Sequence, residues 1–171
     1  MTNSKNEVIV RVVGHAYNAH QIQQGLIDIS KDGAVELEDE RGFITKGEDE
    51  VCDLAKDWSQ DRGKRRKNTR DTTNIIMSIQ AIIDPSDMKN SVREFAKRQF
   101  GQNHQYVIAL HTDTDNPQVH LTVKNLGYDG HRLHVKKGDP QKWRELFAAE
   151  LGSQGIKAKA TLRASRGGED G

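Results

Sequence analysis

An α+β fold, with helices packed on one mainly antiparallel central sheet, is what this 171-residue sequence predicts. Three observations lead there. Short β-branched runs are interleaved irregularly with stretches of helical period. Two of the runs, "YVIAL" and "LTV", flank a segment whose Asp-Asn-Pro suits a hairpin turn. No internal repeat is present, which leaves a single sheet with helices packed on it as the natural arrangement.

Glu7 to Val13, "EVIVRVV", reads as a buried strand. Asn18 to Gly33 carries Ile22, Leu26, Ile27 and Ile29 partly at helical spacing, with Gly33 as its stop. Residues 34–49 are polar and predict loop with short extended pieces. Val51, Leu54, Ala55 and Trp58 predict a helix over Glu50 to Gln60, and "NIIMSIQ", Asn74 to Gln80, a second strand. Ser86 is placed to cap a helix whose stripe is Met88, Val92, Phe95, Ala96 and Phe100, closed by Gly101. "QYVIALH" and "VHLTVK" are two further strands. A last helix starts with Asp139 as cap and Pro140 in its first turn, aligns Trp143, Leu146, Phe147 and Leu151, and stops at Gly152. Trp58 and Trp143 fall on apolar stripes and are expected in the core.

Hydrophobic residues make up 34% and charged residues 30%, with no apolar run long enough to span a bilayer and no signal-peptide pattern at the N-terminus. The single cysteine, Cys52, excludes an internal disulfide and fits a reducing cytoplasm. The expected organisation is one domain over residues 1–166, with a disordered tail at 167–171. Net charge is only +1, but its distribution is uneven. Seven acidic residues lie between Glu36 and Glu50, and "RGKRRKNTR" places six basic residues between Arg62 and Arg70. Lys157, Lys159, Arg163 and Arg166 form a further basic region. Such runs are either solvated surface or a positive face for phosphates, and counting does not decide.

The chemistry concentrates in "HTDTDNPQVH", His111 to His120. Alternate residues of a strand share a face, so Gln118 and His120 point the same way, and a turn at Asn116-Pro117 brings His111 beside them. Two imidazoles and an amide oxygen suit Mn²⁺, Ni²⁺, Co²⁺ or Zn²⁺, and Mg²⁺ less well. Asp113 or Asp115 is placed to orient a ligating imidazole. The competing reading is a polar hairpin with incidental histidines.

"YVIALHTDTDNPQVHLTVKNLGYDGHRL" resembles the histidine motif of conjugative relaxases, the plasmid-mobilisation proteins of the VirD/MobP type in the HUH endonuclease superfamily. The likeness runs on through "HVKKGDPQKWRELFAAELGSQGIKAKATLRASRG", back through "DTTNIIMSIQ", and weakly to "VIVRVV" and "SKDGAVELE". It implies a relaxase-like fold that binds single-stranded DNA at a transfer origin and nicks it at a defined site, in a bacterial cytoplasm. Relaxosome accessory proteins and a type IV secretion coupling protein are the implied further partners. It also implies a divalent cation, Mn²⁺ or Mg²⁺ first, on His111, Gln118 and His120, with Gln118 standing where the family has a histidine. Ser78 falls where the family contacts DNA beside the cut. Lys64, Arg65, Arg66 and Lys67, with Arg163 and Arg166, are the expected phosphate contacts.

The family's nucleophile is a tyrosine on the first helix, and this sequence has Asp28 there, in "DISKDG". Asp28 is the candidate catalytic residue under two readings: direct attack, giving an acyl phosphate, or positioning of a water or metal for hydrolysis. A third reading is a domain that binds origin DNA without cutting it. In a fourth reading Tyr17, flanked by His15 and His20, is a displaced nucleophile.

Overall fold

The computed structural model describes residues 5–61, 63–66, 68–114 and 116–162. Strand β1 (Val8–Ala16) leads to α1 (Ala19–Ile29), capped by the Asn18 side chain, which accepts from Gln21 N. Two short strands, β2 (Leu37–Asp39) and β3 (Ile44–Thr45), precede α2 (Glu48–Gln60) and β4 (Thr72–Ile79). Helix α3 (Pro85–Gln99) is followed by the hairpin of β5 (Tyr106–His111) and β6 (Gln118–Lys124), and then by α4 (Asp139–Ser153).

These strands make one antiparallel sheet of order β1-β4-β6-β5-β2-β3. The α+β class expected from the sequence is the one observed. Because strand side chains alternate, each face of the sheet carries its own core. Val10, Ile75, Met77, Ile108, Leu121 and Val123 point to α3 and α4, meeting Phe95, Trp143 and Phe147. Val107, Ala109 and Leu37 point to α1 and α2, meeting Leu26, Val51 and Trp58. Both tryptophans are buried, as expected.

Helix ends needed correction by a residue or two. Asp84, not Ser86, caps α3: its Oδ1 accepts from both the backbone N and the hydroxyl of Ser86. Helix α4 begins after left-handed Gly138, and the Asp139 carboxylate accepts instead from the Lys136 N–H. No described helix is long and apolar enough to cross a membrane. Of the positions singled out in the sequence, Lys67, Asp115, Arg163, Arg166 and the tail 167–171 lie outside the described residues.

The sequence reading of β1 as a buried strand holds for one face alone. As an edge strand it packs Val8, Val10 and Val12 against the α3/α4 core but leaves Arg11 exposed on the other face. On its outer edge the segment around Lys159 adds two backbone hydrogen bonds: Val8 N to Lys159 O, 2.9 Å, and Lys159 N to Asn6 O, 2.8 Å. Buried Arg144 of α4 locks that segment by donating to Thr161 O at 2.7 Å and to the Glu7 carboxylate at 3.0 Å.

Candidate active site

Register across three strands assembles the site. Ser78 of β4 is the partner of Gln118 on β6, and Gln118 is the partner of His111 on β5, so the three stand in one row on the α1/α2 face. One row inward runs Arg11, Ile76, His120 and Ala109. The hairpin thus brings together His111, Gln118 and His120, the three donors expected from the sequence. The imidazole centroids of His111 and His120 are 4.2 Å apart, with the rings tilted by 35°.

Helix α1 closes one side. Its last carbonyl, Ile29 O, lies 2.7 Å from His111 Nε2. A carbonyl only accepts, so Nε2 carries a proton and Nδ1 is the ring nitrogen left to face a ligand. A backbone carbonyl holding the far N–H of an imidazole is the usual way a ligating histidine is oriented. Asp113, expected in that orienting role, instead takes the Lys31 ammonium at 2.6 Å. His120 is pushed down to about 4, first by burial and then by the charges of His111 and Lys31. It is therefore a neutral imidazole with a free electron pair at pH 7.

This donor chemistry fits a divalent cation. Two imidazole nitrogens and one amide oxygen on a single face would leave coordination positions open for a phosphate. Among the described residues no three His, Cys, Asp or Glu side chains gather around a common point, so the set depends on Gln118 for its third donor. The Gln118 side chain is exposed.

Asp28 is the penultimate residue of α1, adjacent to the Ile29 that holds His111. Its carboxylate is exposed and accepts from Gln24 Nε2 at 3.0 Å, one helical turn back. The turn that follows is tight. Lys31 and Asp32 have positive φ, and Gly33, at φ +87°, is so close to the start of α2 that a Cβ would lie 2.3 Å from Glu48 N. Only glycine fits there, and this contact fixes the end of α1 against α2. Tyr17 precedes the other end of α1, about 16 Å away along an unbroken helix of 11 residues, and does not reach the cradle.

Other expected contacts separate from the site. Ser78 lies directly across from Gln118 but is 4% exposed, its hydroxyl directed at Pro117 O, 3.4 Å away. The basic loop enters β4 at Thr72, six residues or about 20 Å from Ser78. Within it Arg65 is a structural residue, paired with buried Asp71 and donating to Tyr17 O. Lys64 and Arg66 are exposed.

Sequence reasoning missed two cations. Arg11 shares a row with His120 and makes no ion pair among the described residues; its signal was a single arginine interrupting a β-branched run. Lys31 sits three residues beyond Asp28, pairs with Asp113 and acts electrostatically on His120.

A central antiparallel sheet with paired strand histidines under a helix end defines the relaxase class, and the comparisons agree. The model of the family described as "Relaxase: MobA/VirD2-like, nuclease domain" matches residues 28–152, from Asp28 to Gly152 of α4, and the chain belongs to that family. It is 30% identical over 182 aligned residues to the T-DNA border endonuclease VirD2 of Rhizobium radiobacter, covering 94% of this chain and 43% of that protein. For VirD2 of Rhizobium rhizogenes the identity is 28%, over 94% of this chain and 42% of that protein. The chain thus spans about two-fifths of the length of these curated relatives. A solved structure described as "Molecular Basis of Vancomycin Resistance Transfer in Staphylococcus aureus" superposes with a TM-score of 0.53 over 92% of this chain and 99% of that one. At 13% identity it supports the fold alone.

Proposed function

We propose that residues 1–166 act as a relaxase nuclease domain that binds single-stranded DNA at a transfer origin and nicks it. The observation that carries this reading is the docking of the end of α1 onto the histidine pair through Ile29 O and His111 Nε2. That bond ties the segment bearing Asp28 to the two strands bearing the cradle. His111, Gln118 and His120 would hold a divalent cation, with Mn²⁺ favoured over Mg²⁺ by the nitrogen donors. When bound, such an ion polarises a phosphoryl oxygen and neutralises charge on the scissile phosphate.

In this reading Asp28 orients a water and takes its proton as the water oxygen attacks phosphorus. The bond to the leaving 3′ oxygen breaks, and that oxygen is protonated from solvent. The products are a 5′-phosphate and a 3′-hydroxyl, with no protein–DNA link. Direct attack by Asp28 would give an acyl phosphate, which hydrolyses to the same ends. In a cell the partners would be origin DNA, relaxosome accessory proteins and a secretion coupling protein, encountered in the bacterial cytoplasm.

One observation favours a second reading, an origin-binding domain that does not cut. None of the three tyrosines, Tyr17, Tyr106 and Tyr128, stands at the end of α1. End-labelled single-stranded origin DNA with Mn²⁺ separates the readings. Nicking without a covalent adduct, abolished in Asp28→Asn, is the expected result. Tight binding without nicking supports the second reading. Asp28→Tyr restores the family's residue, and a covalent adduct in that variant would show that the cradle itself is competent.

A further inference from the structure

A cleft of about 390 Å³ with a mixed polar and apolar lining opens at the opposite end and on the opposite face of the sheet from the histidines. Five residues of β6, about 17 Å, separate the row of Gln118 from the row of Val123 and Thr73 that borders it. Three segments meet there: the end of β1, the stretch from the basic loop into β4, and the return loop after β6.

The cleft is built by specific features. Val13 is an extra residue in β1, between the pairs Val12–Ile75 and Gly14–Asn74, and this bulge turns His15 to the face of its partner Thr73. Beneath, buried Thr73 donates its hydroxyl to Oδ1 of buried Asn125 at 2.8 Å. The Leu133 N–H to Asn125 O bond, 2.7 Å, folds the return loop over them. Arg132 is held in place in part by donating to Arg70 O at 3.1 Å and Lys64 O at 3.3 Å.

Its charge runs against the rest of the chain. The whole sequence balances 26 basic against 25 acidic residues, yet the charged residues that line this cleft are Arg70 and Arg132, with no Asp or Glu beside them. Arg70 is exposed and has no acidic partner among the described residues. Leu133 and Val135, which pack on the α3/α4 core, add an apolar wall. Two guanidiniums, amide and hydroxyl groups and an apolar wall suit a ligand that is part phosphate and part planar base. The volume falls in the range of about 300–1,000 Å³ typical of small-molecule sites.

We propose that this cleft binds one nucleotide unit, its phosphate on Arg70 and Arg132 and its base against Leu133, Val135 and His134. The same chemistry is offered by a free nucleotide and by one nucleotide of a DNA strand. The assignment does not depend on whether the histidine site cuts.

The test is calorimetric titration of the full chain in EDTA, so that no cation-dependent site contributes. The probes are a 5′-deoxynucleoside monophosphate, the same deoxynucleoside without phosphate, and inorganic phosphate. The monophosphate is expected to bind, the deoxynucleoside to fail, and inorganic phosphate to bind more weakly. Arg70→Gln should weaken the monophosphate about tenfold with an unchanged melting temperature. His134→Ala, also at an exposed position, should weaken it as well. No binding, binding indifferent to Arg70→Gln, or inorganic phosphate binding as tightly as the nucleotide would overturn the proposal. A short single-stranded oligonucleotide then assigns the source: displacement of the monophosphate points to a strand, coexistence to a free nucleotide, and either outcome keeps the site.

Discussion

His111 Nε2 and the carbonyl oxygen of Ile29 are 2.7 Å apart, so one imidazole both faces the candidate cation site and anchors the C-terminal end of α1. His120, its neighbour at 4.2 Å between ring centroids, makes no comparable bond to a helix among the described residues. The two histidines should therefore fail differently. His111→Ala removes an anchor worth about 1 kcal/mol, lowering the melting temperature by about 2–4 °C, as well as a donor. His120→Ala should lose Mn²⁺ binding with little change in melting temperature. Calorimetry with Mn²⁺ and thermal melts of both variants check this pair.

Gln118 is the weakest of the three donors, because a neutral amide oxygen gives less electron density than an imidazole. It is also exposed and stands opposite His111, so a larger ring meets no packed core. Gln118→His should tighten Mn²⁺ severalfold, measured by titration at pH 7.5, without changing the fold. Unchanged affinity would remove position 118 from the ligand set.

How much of this was legible in the sequence depends on the kind of signal. That His111, Gln118 and His120 stand together was legible because strand alternation and a short turn fix relative side-chain direction, and the strand register does bring the three side by side. Arg65 misled, because a charge count does not register that a guanidinium is taken by buried Asp71. Arg11 was passed over because a β-branched run reads the same whether a strand is central or at an edge. Lys31 was hidden for a different reason. Its pairing with Asp113 joins residues 82 apart, and only the docking of α1 on the hairpin brings them together.

The Glu38–Arg93 pair should give the domain an acid-side weakness. Glu38 is buried on β2 and accepts from Arg93 of α3 at 2.6 and 2.9 Å. Hydrogen bonding from Arg93 holds its carboxyl below the ordinary value of 4.5, against burial, with Lys89 assisting. A depressed folded value means that the unfolded chain binds the proton first as pH falls. The contribution is thus full above about 4.5 and is lost as pH drops through the folded value. Arg93 is 38% exposed, so water screens the pair, and Glu38→Gln should cost about 1–2 kcal/mol at pH 7. Urea melts between pH 3 and about 7 should show a slope in the parent that is reduced in Glu38→Gln.

Arg11 and Arg65 give the sharpest contrast for DNA binding. Arg11 is exposed in the row of His120, whereas Arg65 is engaged with Asp71 and Tyr17 O, at the end of the sheet remote from the cradle. Each single-strand phosphate contact contributes a slope of about −0.7 to the dependence of log K on log salt. Arg11→Gln should therefore make the slope for single-stranded DNA shallower by about 0.7 while leaving the melting temperature unchanged. Arg65→Gln should do the reverse, leaving buried Asp71 without that guanidinium, lowering stability by about 1–3 kcal/mol and sparing the slope. Fluorescence anisotropy across a salt series, beside thermal melts, measures both. If Arg65→Gln flattens the slope and Arg11→Gln does not, the strand runs over the basic loop and not across the face that carries the histidines.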